Sequence, residues 1–158
     1  MNGRNPNQQK NNGQDNSFIN TNNLVQKIKS APKLSDVLTP KEFAPIGGWA
    51  DKIAFELKSA KPKLNTSQLR KIFTEIKSIC DNIEKEKEKV LQDKTSLYLL
   101  YPKLAYAKGR ELMPEVFYNL IVACLDKLKD GKADKEDFKN FGDFMTAIVA
   151  YNKQYEKN

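Results

Sequence analysis

The stretch N-T-S-Q-L-R-K-I-F-T-E-I-K-S-I-C-D-N-I, Asn65 to Ile83, decides the fold class. Its apolar residues Leu69, Ile72, Phe73, Ile76, Ile79, Cys80 and Ile83 recur three and four positions apart. At ~100° per residue they fall within an arc of roughly 120°, the width of a stripe that faces a core. Thr66 or Ser67 is placed to cap the start. The pattern predicts an amphipathic helix running out into E-K-E-K-E-K, Glu84 to Lys89. In that run Glu and Lys neighbours three apart suit a solvated helix face.

The same periodicity extends to both sides. Upstream, Trp49, Ile53, Ala54 and Leu57 predict a short first helix. Downstream, a third helix covers Thr95 to about Lys108, with Pro102 either kinking it or starting a new one, and Gly109 as a stop. A fourth begins near Pro114, as a first-turn proline, and carries Val116, Phe117, Leu120, Ile121, Cys124, Leu125 and Leu128. A fifth, capped by Asp134 or Lys135, carries Phe138, Phe141, Met145, Ile148 and Val149. No segment alternates as a half-buried strand does. The fold class is all-α: a compact bundle of about five helices over residues 41–158. Residues 1–40 read as a disordered Asn/Gln-rich arm and linker. Met1 to Asn16 has almost nothing apolar to bury, and S-A-P-K-L-S-D-V-L-T-P carries two proline breaks. Between them Phe18, Ile19, Leu24, Val25 and Ile28 offer apolar groups that could dock on a partner or on the bundle.

Composition narrows the chemistry. The chain has 158 residues, a net charge of +7 and no histidine. Without histidine there is no Ser-His or Cys-His nucleophile pair, no His-Asp phosphohydrolase metal site and no common zinc site. Cys80 and Cys124 are too far apart for a C-x-x-C motif and sit at helical spacing among Ile, Leu and Val. They read as buried thiols in a reducing cytosol. No apolar run approaches the ~20 residues of a membrane span, so the expected location is cytoplasmic. D-K-L-K-D-G-K-A-D-K-E-D, Asp126 to Asp137, imitates a calcium loop, but Leu128 stands at the third ligand position and Asp137 at the twelfth, where a Glu is usual. It reads instead as a helix stop at Gly131 followed by a helix start at Asp134. No glycine-rich phosphate loop is present. No metal, cofactor or catalytic role is expected.

The basic residues are more informative on helices. Lys103 and Arg110 are seven apart, pointing within roughly 20° of each other and about 10 Å apart along the axis. Arg70 and Lys77 repeat that spacing, with Lys71 nearby. Two helices would therefore each present a cation pair to a phosphate backbone. Spacing alone leaves open that these are snorkelling surface cations and that Tyr101 and Tyr106 pack at the core edge.

Three stretches carry a resemblance: L-R-K-I-F-x-x-I at Leu69–Ile76, P-K-L-A-Y-A-K-G-R at Pro102–Arg110, and F-x-x-F-M-T-A-I-V-A-Y-N-K at Phe141–Lys153. Together they resemble the small helical subunit of the type III-A CRISPR effector, the second subunit of the Csm complex. The resemblance implies an all-helical, non-catalytic subunit, present in several copies stacked along the guide RNA–target RNA duplex. The implied partners are the large signature subunit, the backbone subunits, other copies of itself and the crRNA–target RNA duplex. Base pairing would supply sequence specificity, leaving this chain a phosphate backbone to hold. Motif positions carry Arg70, Lys71, Lys103, Lys108, Arg110 and Lys153 over as RNA-binding candidates, with Lys77 and Lys139 added on spacing and charge. Tyr106 is expected in a core role, with stacking or hydrogen bonding as the alternative. Tyr101 and Leu104 are expected to turn toward the core. The competing readings are a helical protein–protein adaptor with no direct RNA contact and a histidine-free ribonuclease.

Overall fold

The Asn65–Ile83 stripe forms most of one long helix, which packs between two others. The computed structural model describes residues 17–85 and 94–156, folded as seven α-helices and one 3₁₀ turn. In chain order these are α1 (Ile19–Ser30), the 3₁₀ turn Leu34–Asp36, α2 (Pro40–Phe43), α3 (Trp49–Leu57), α4 (Thr66–Lys85), α5 (Thr95–Gly109), α6 (Glu115–Leu128) and α7 (Lys135–Glu156). No strand occurs among the described residues. None of these helices is long and apolar enough to cross a membrane. The Asn/Gln-rich Met1–Asn16 and most of the E-K-E-K-E-K run lie outside the described residues.

Helix α7 is the central packing partner: α3 and α4 lie against it, α5 joins α4 to α6, and α1 crosses α6 and α3. The stripe behaves as its arc requires, with Leu69, Ile72, Ile76, Ile79, Cys80 and Ile83 buried and Phe73 half-buried at its margin. Phe43 meets Phe144 edge-on at 5.3 Å between ring centroids, and the Tyr151 hydroxyl donates to the Ala44 carbonyl at 2.7 Å. These contacts fasten α2 to α7.

The division at residue 40 does not coincide with a gap in the packing. Leu24 and Ile28 are fully buried and Val25 nearly so, in the same core cluster as α4 and α7. The segment I-N-T-N-N-L-V-Q-K-I-K-S has weak helix propensity and no side-chain cap of its own. Its cap is supplied from α3. The buried Glu56 carboxylate accepts from the Asn20 and Thr21 N–H groups at 2.9 and 2.8 Å and from the Thr21 hydroxyl at 2.6 Å. This places negative charge on free N–H groups at a helix start, where both hydrogen bonding and the helix dipole favour it. Tertiary burial overrides propensity here and adds α1; the four-residue α2, which Pro40 opens, is the other helix beyond the expected five.

Helix ends depart from the sequence expectations in small, explicable ways. Asn65, not Thr66 or Ser67, caps α4, its side-chain oxygen accepting from the Gln68 N–H at 3.0 Å. Helix α5 continues through Pro102 without restarting, with Pro102 on its exposed side. Gly109 is the last helical residue rather than the left-handed stop. That conformation falls on Glu111 (φ 58), and Leu112 N–H bonds Ala107 O while Glu111 N–H bonds Lys108 O. This is the Schellman pattern with a glutamate where glycine is usual. Pro114 precedes α6 as its N-cap rather than lying in its first turn. Before α3, G-G has a local reason: Gly47 has φ +83, and a Cβ on Gly48 would lie 2.7 to 2.9 Å from three carbonyl oxygens.

Candidate nucleic-acid interface

All eight predicted cations are on the surface, but the packing sorts them into three places. The sorting follows from which helix lies on each flank of α4. On one flank, Glu75 reaches Lys103 of α5 at 2.9 Å. On the other, Thr66 hydrogen-bonds Glu156, and Gly142 comes so close to Cys80 that a Cβ would stand 3.1 Å from the sulfur. These contacts set α7 antiparallel to α4, with Lys153 level with Arg70 and Lys139 near Glu84.

The first place is the α4/α7 seam. Around α4, Arg70 and Lys77 lie roughly 140–160° from Glu75 at ~100° per residue, on the flank toward α7. Lys139 and Lys153 lie on the flank of α7 toward α4, beyond Gly142 on the same helical wheel. Lys77 reaches Asp81 at 3.8 Å, Lys139 reaches Asp143 at 3.1 Å and Lys153 reaches Glu156 at 3.9 Å. The hydrogen bond that Lys139 donates to Asp143 raises its ammonium above the ordinary pKa. Exposed pairs of this kind are worth about 0–1 kcal/mol each, so a polyanion can replace the carboxylates at little cost. Arg70 has no carboxylate partner among the described residues.

The second place is the groove between α4 and α5, lined by Gln68, Lys71, Ile72, Glu75, Pro102, Lys103 and Tyr106, with a volume of about 380 Å³. Lys71 has no ion-pair partner among the described residues, while Lys103 is held by Glu75. Arg110, just past the end of α5, donates to the Tyr106 hydroxyl at 3.0 Å, its guanidinium carbon 5.6 Å from that ring's centroid. Tyr106 is 61% exposed, so its expected core role is corrected. It points along the α4 side of α5, away from the buried Leu97, Leu100, Leu104 and Ala107.

The third place holds Lys108 alone. It sits on the opposite side of α5, 3.3 Å from Glu115 and 4.6 Å above the Tyr118 ring of α6. Tyr101 shares that side: half-buried against the core, it donates to Asp126 at 2.7 Å. Burial and that bond push its phenol above the ordinary value. Leu104 is fully buried, as its position implied.

The cation pairs of α4 and α5 therefore do not share one surface. Arg70 and Lys77 belong with α7; Lys103 and Arg110 belong with Lys71. Sequence reasoning also missed Gln68 and Glu75 as groove residues. Their only signal was a place on the margin of the α4 polar face.

The acids of Asp126–Asp137 are engaged in structural work. Asp134 accepts from the Asp137 N–H at 3.3 Å and Asp137 from the Asp134 N–H at 2.8 Å, a reciprocal cap at the start of α7. Asp137 also accepts from Ser35 N–H at 2.8 Å, and Lys33 reaches Asp134 at 2.6 Å, tying the 3₁₀ turn to α7. Leu128 is buried. Among the described residues no group of three or more His, Cys, Asp or Glu is arranged to hold a metal ion. Burial pushes both thiols up, that of Cys80 to about 12.

A family model described as Csm2 Type III-A matches residues 41–158, from the second residue of α2 to the C-terminal end of the sequence. No curated protein and no solved structure matches the chain. The match covers α3 to α7 and thus both cationic surfaces, while α1, which completes the core, precedes it. The chain belongs to the Csm2 family, the small subunit of the multi-subunit type III-A CRISPR effector complex.

Proposed function

We propose that the chain is a non-catalytic subunit that stacks in several copies along the guide RNA–target RNA duplex and holds the target strand by its phosphates. The backbone subunits and the large signature subunit are its protein neighbours, and the complex works in the cytoplasm. The observation that carries this reading is the α4/α7 seam. Arg70, Lys77, Lys139 and Lys153 come from two antiparallel helices on one outer surface, with Arg70 uncompensated among the described residues. Arg70 and Lys77 stand about 10 Å apart along α4, so the strip can follow a backbone rather than grip one phosphate. The absence of histidine and the burial of both thiols support a holding rather than a cutting role.

The test uses the assembled effector complex with Arg70→Glu/Lys153→Glu. Target-RNA affinity should fall by a similar factor for matched targets of different sequence. The slope of log K against log salt should flatten by about 0.7 to 0.9 for each phosphate that is no longer neutralised. Assembly with unchanged affinity and slope would refute the seam as an RNA surface and favour the adaptor reading.

A further inference from the structure

We propose that the α4/α5 groove is a stacking site for an unpaired nucleobase, with Tyr106 as its platform. This rests on the RNA-binding reading but concerns a different surface and a different part of the nucleotide. A backbone-holding surface needs cations only, and the groove has more than that. Tyr106 is 61% exposed; Tyr98 of the same helix is 52% exposed, but only Tyr106 lines the groove. Its orientation is held, because Arg110 donates to its hydroxyl at 3.0 Å and stands 5.6 Å from the ring centroid. A held, exposed ring is a surface on which a base can stack without first ordering a mobile side chain.

The rest of the groove fits the same ligand. At about 380 Å³ it falls in the size range of small-molecule pockets, roughly 300–1,000 Å³. Ile72 and Pro102 supply apolar wall. The Gln68 amide offers a donor and an acceptor to a base edge. Lys71 and Lys103 stand at the groove and Arg110 beside it, three cations against the single carboxylate of Glu75. That balance favours a nucleotide over an apolar protein segment, which would have to desolvate the cations without neutralising them. A base locked in a duplex cannot enter, so the ligand is a single-stranded or extruded nucleotide.

The experiment measures binding of the purified full chain at low salt to a labelled oligoadenosine and to an abasic oligoribose phosphate of equal length. Tyr106→Ala should weaken oligoadenosine binding about tenfold, within the range for one aromatic–base stack, and leave abasic binding unchanged. Tyr106→Phe keeps the stacking face but loses the Arg110 hydrogen bond, so its loss should be smaller than that of Tyr106→Ala and equally confined to oligoadenosine. Arg70→Glu/Lys153→Glu should weaken both oligonucleotides alike. Equal loss on both oligonucleotides with Tyr106→Ala, or no loss on either, overturns the stacking site while leaving the seam reading intact. A seam variant without effect, beside a base-selective loss with Tyr106→Ala, overturns the seam reading alone. No binding of either oligonucleotide by the wild-type chain overturns the stacking site, and the seam reading is then decided by the assembled complex.

Discussion

Removing the Glu56 carboxylate tests whether residues before 41 are an integral part of the folded unit. Glu56 is 9% exposed and receives three hydrogen bonds, two from backbone N–H groups at the start of α1 and one from the Thr21 hydroxyl. In Glu56→Ala all three donors lose their acceptor, and two of them belong to the fully buried Thr21. An unsatisfied buried donor costs about 1–3 kcal/mol, and shared relaxation makes the three less than additive, giving about 3–5 kcal/mol. Glu56→Gln keeps one oxygen, which can still serve the Thr21 N–H and hydroxyl. It sets an amide donor against the Asn20 N–H and removes the charge facing the helix start, for about 1–2 kcal/mol. Urea unfolding followed by far-UV circular dichroism reads the two values. Amide exchange by NMR should show reduced protection at Asn20 and Thr21 first. A cost under about 1 kcal/mol for Glu56→Ala, with those amides still protected, would refute the claim that α3 caps α1.

Gly142→Ala should destabilise by about 1 kcal/mol net, because the buried Cys80, 3.1 Å (Sγ) and 3.3 Å (Cβ) from the new Cβ, gives way at a cost that exceeds the ~1 kcal/mol alanine gains over glycine in a helix. Pairing it with Cys80→Ala should recover part of that loss in a double-mutant cycle, and an additive cycle would refute the close approach of α4 and α7. Glu111→Gly should stabilise by up to about 1 kcal/mol by relieving the left-handed conformation that ends α5, checked by thermal or urea unfolding. For Asp134, burial alone would raise the carboxyl, but the hydrogen bonds from Lys33 and the Asp137 N–H outweigh it and hold it below its ordinary 3.8. Its contribution is therefore present above that value and lost as pH falls through the lower folded pKa. Lys33, raised chiefly by its hydrogen bond to Asp134, contributes below its ordinary 10.5 and loses that contribution as pH rises above it. Asp134→Asn should accordingly flatten the acid limb of the stability–pH profile below about pH 4, and an unaltered limb would remove the linkage.

Most of the helical core was legible in the residue pattern because burial follows the 3.6-residue repeat whatever lies across the interface. The Asn65–Ile83 stripe, the Trp49–Leu57 helix and the apolar faces of α6 and α7 all fall where their spacing puts them. Helix α1 was legible only as apolar groups that could dock on the bundle or on a partner, not as a helix of the fold. Its Asn-rich sequence is a poor helix on its own, and both its cap and its apolar contacts come from other elements. The type and number of the surface cations could likewise be read directly, and their spacing correctly kept Arg70 with Lys77 and Lys103 with Arg110.

The sequence by itself thus determined an all-helical chain, its buried stripes, its lack of histidine and the cations available to meet a polyanion. The tertiary structure alone decided how those cations are grouped, that Lys108 turns to α6 and that Tyr106 stands in solvent. A helical wheel states the angle at which a side chain leaves its own axis. Which neighbouring helix occupies that angle depends on contacts between residues distant in the chain, such as Glu75 with Lys103 and Cys80 with Gly142, and no local period encodes them.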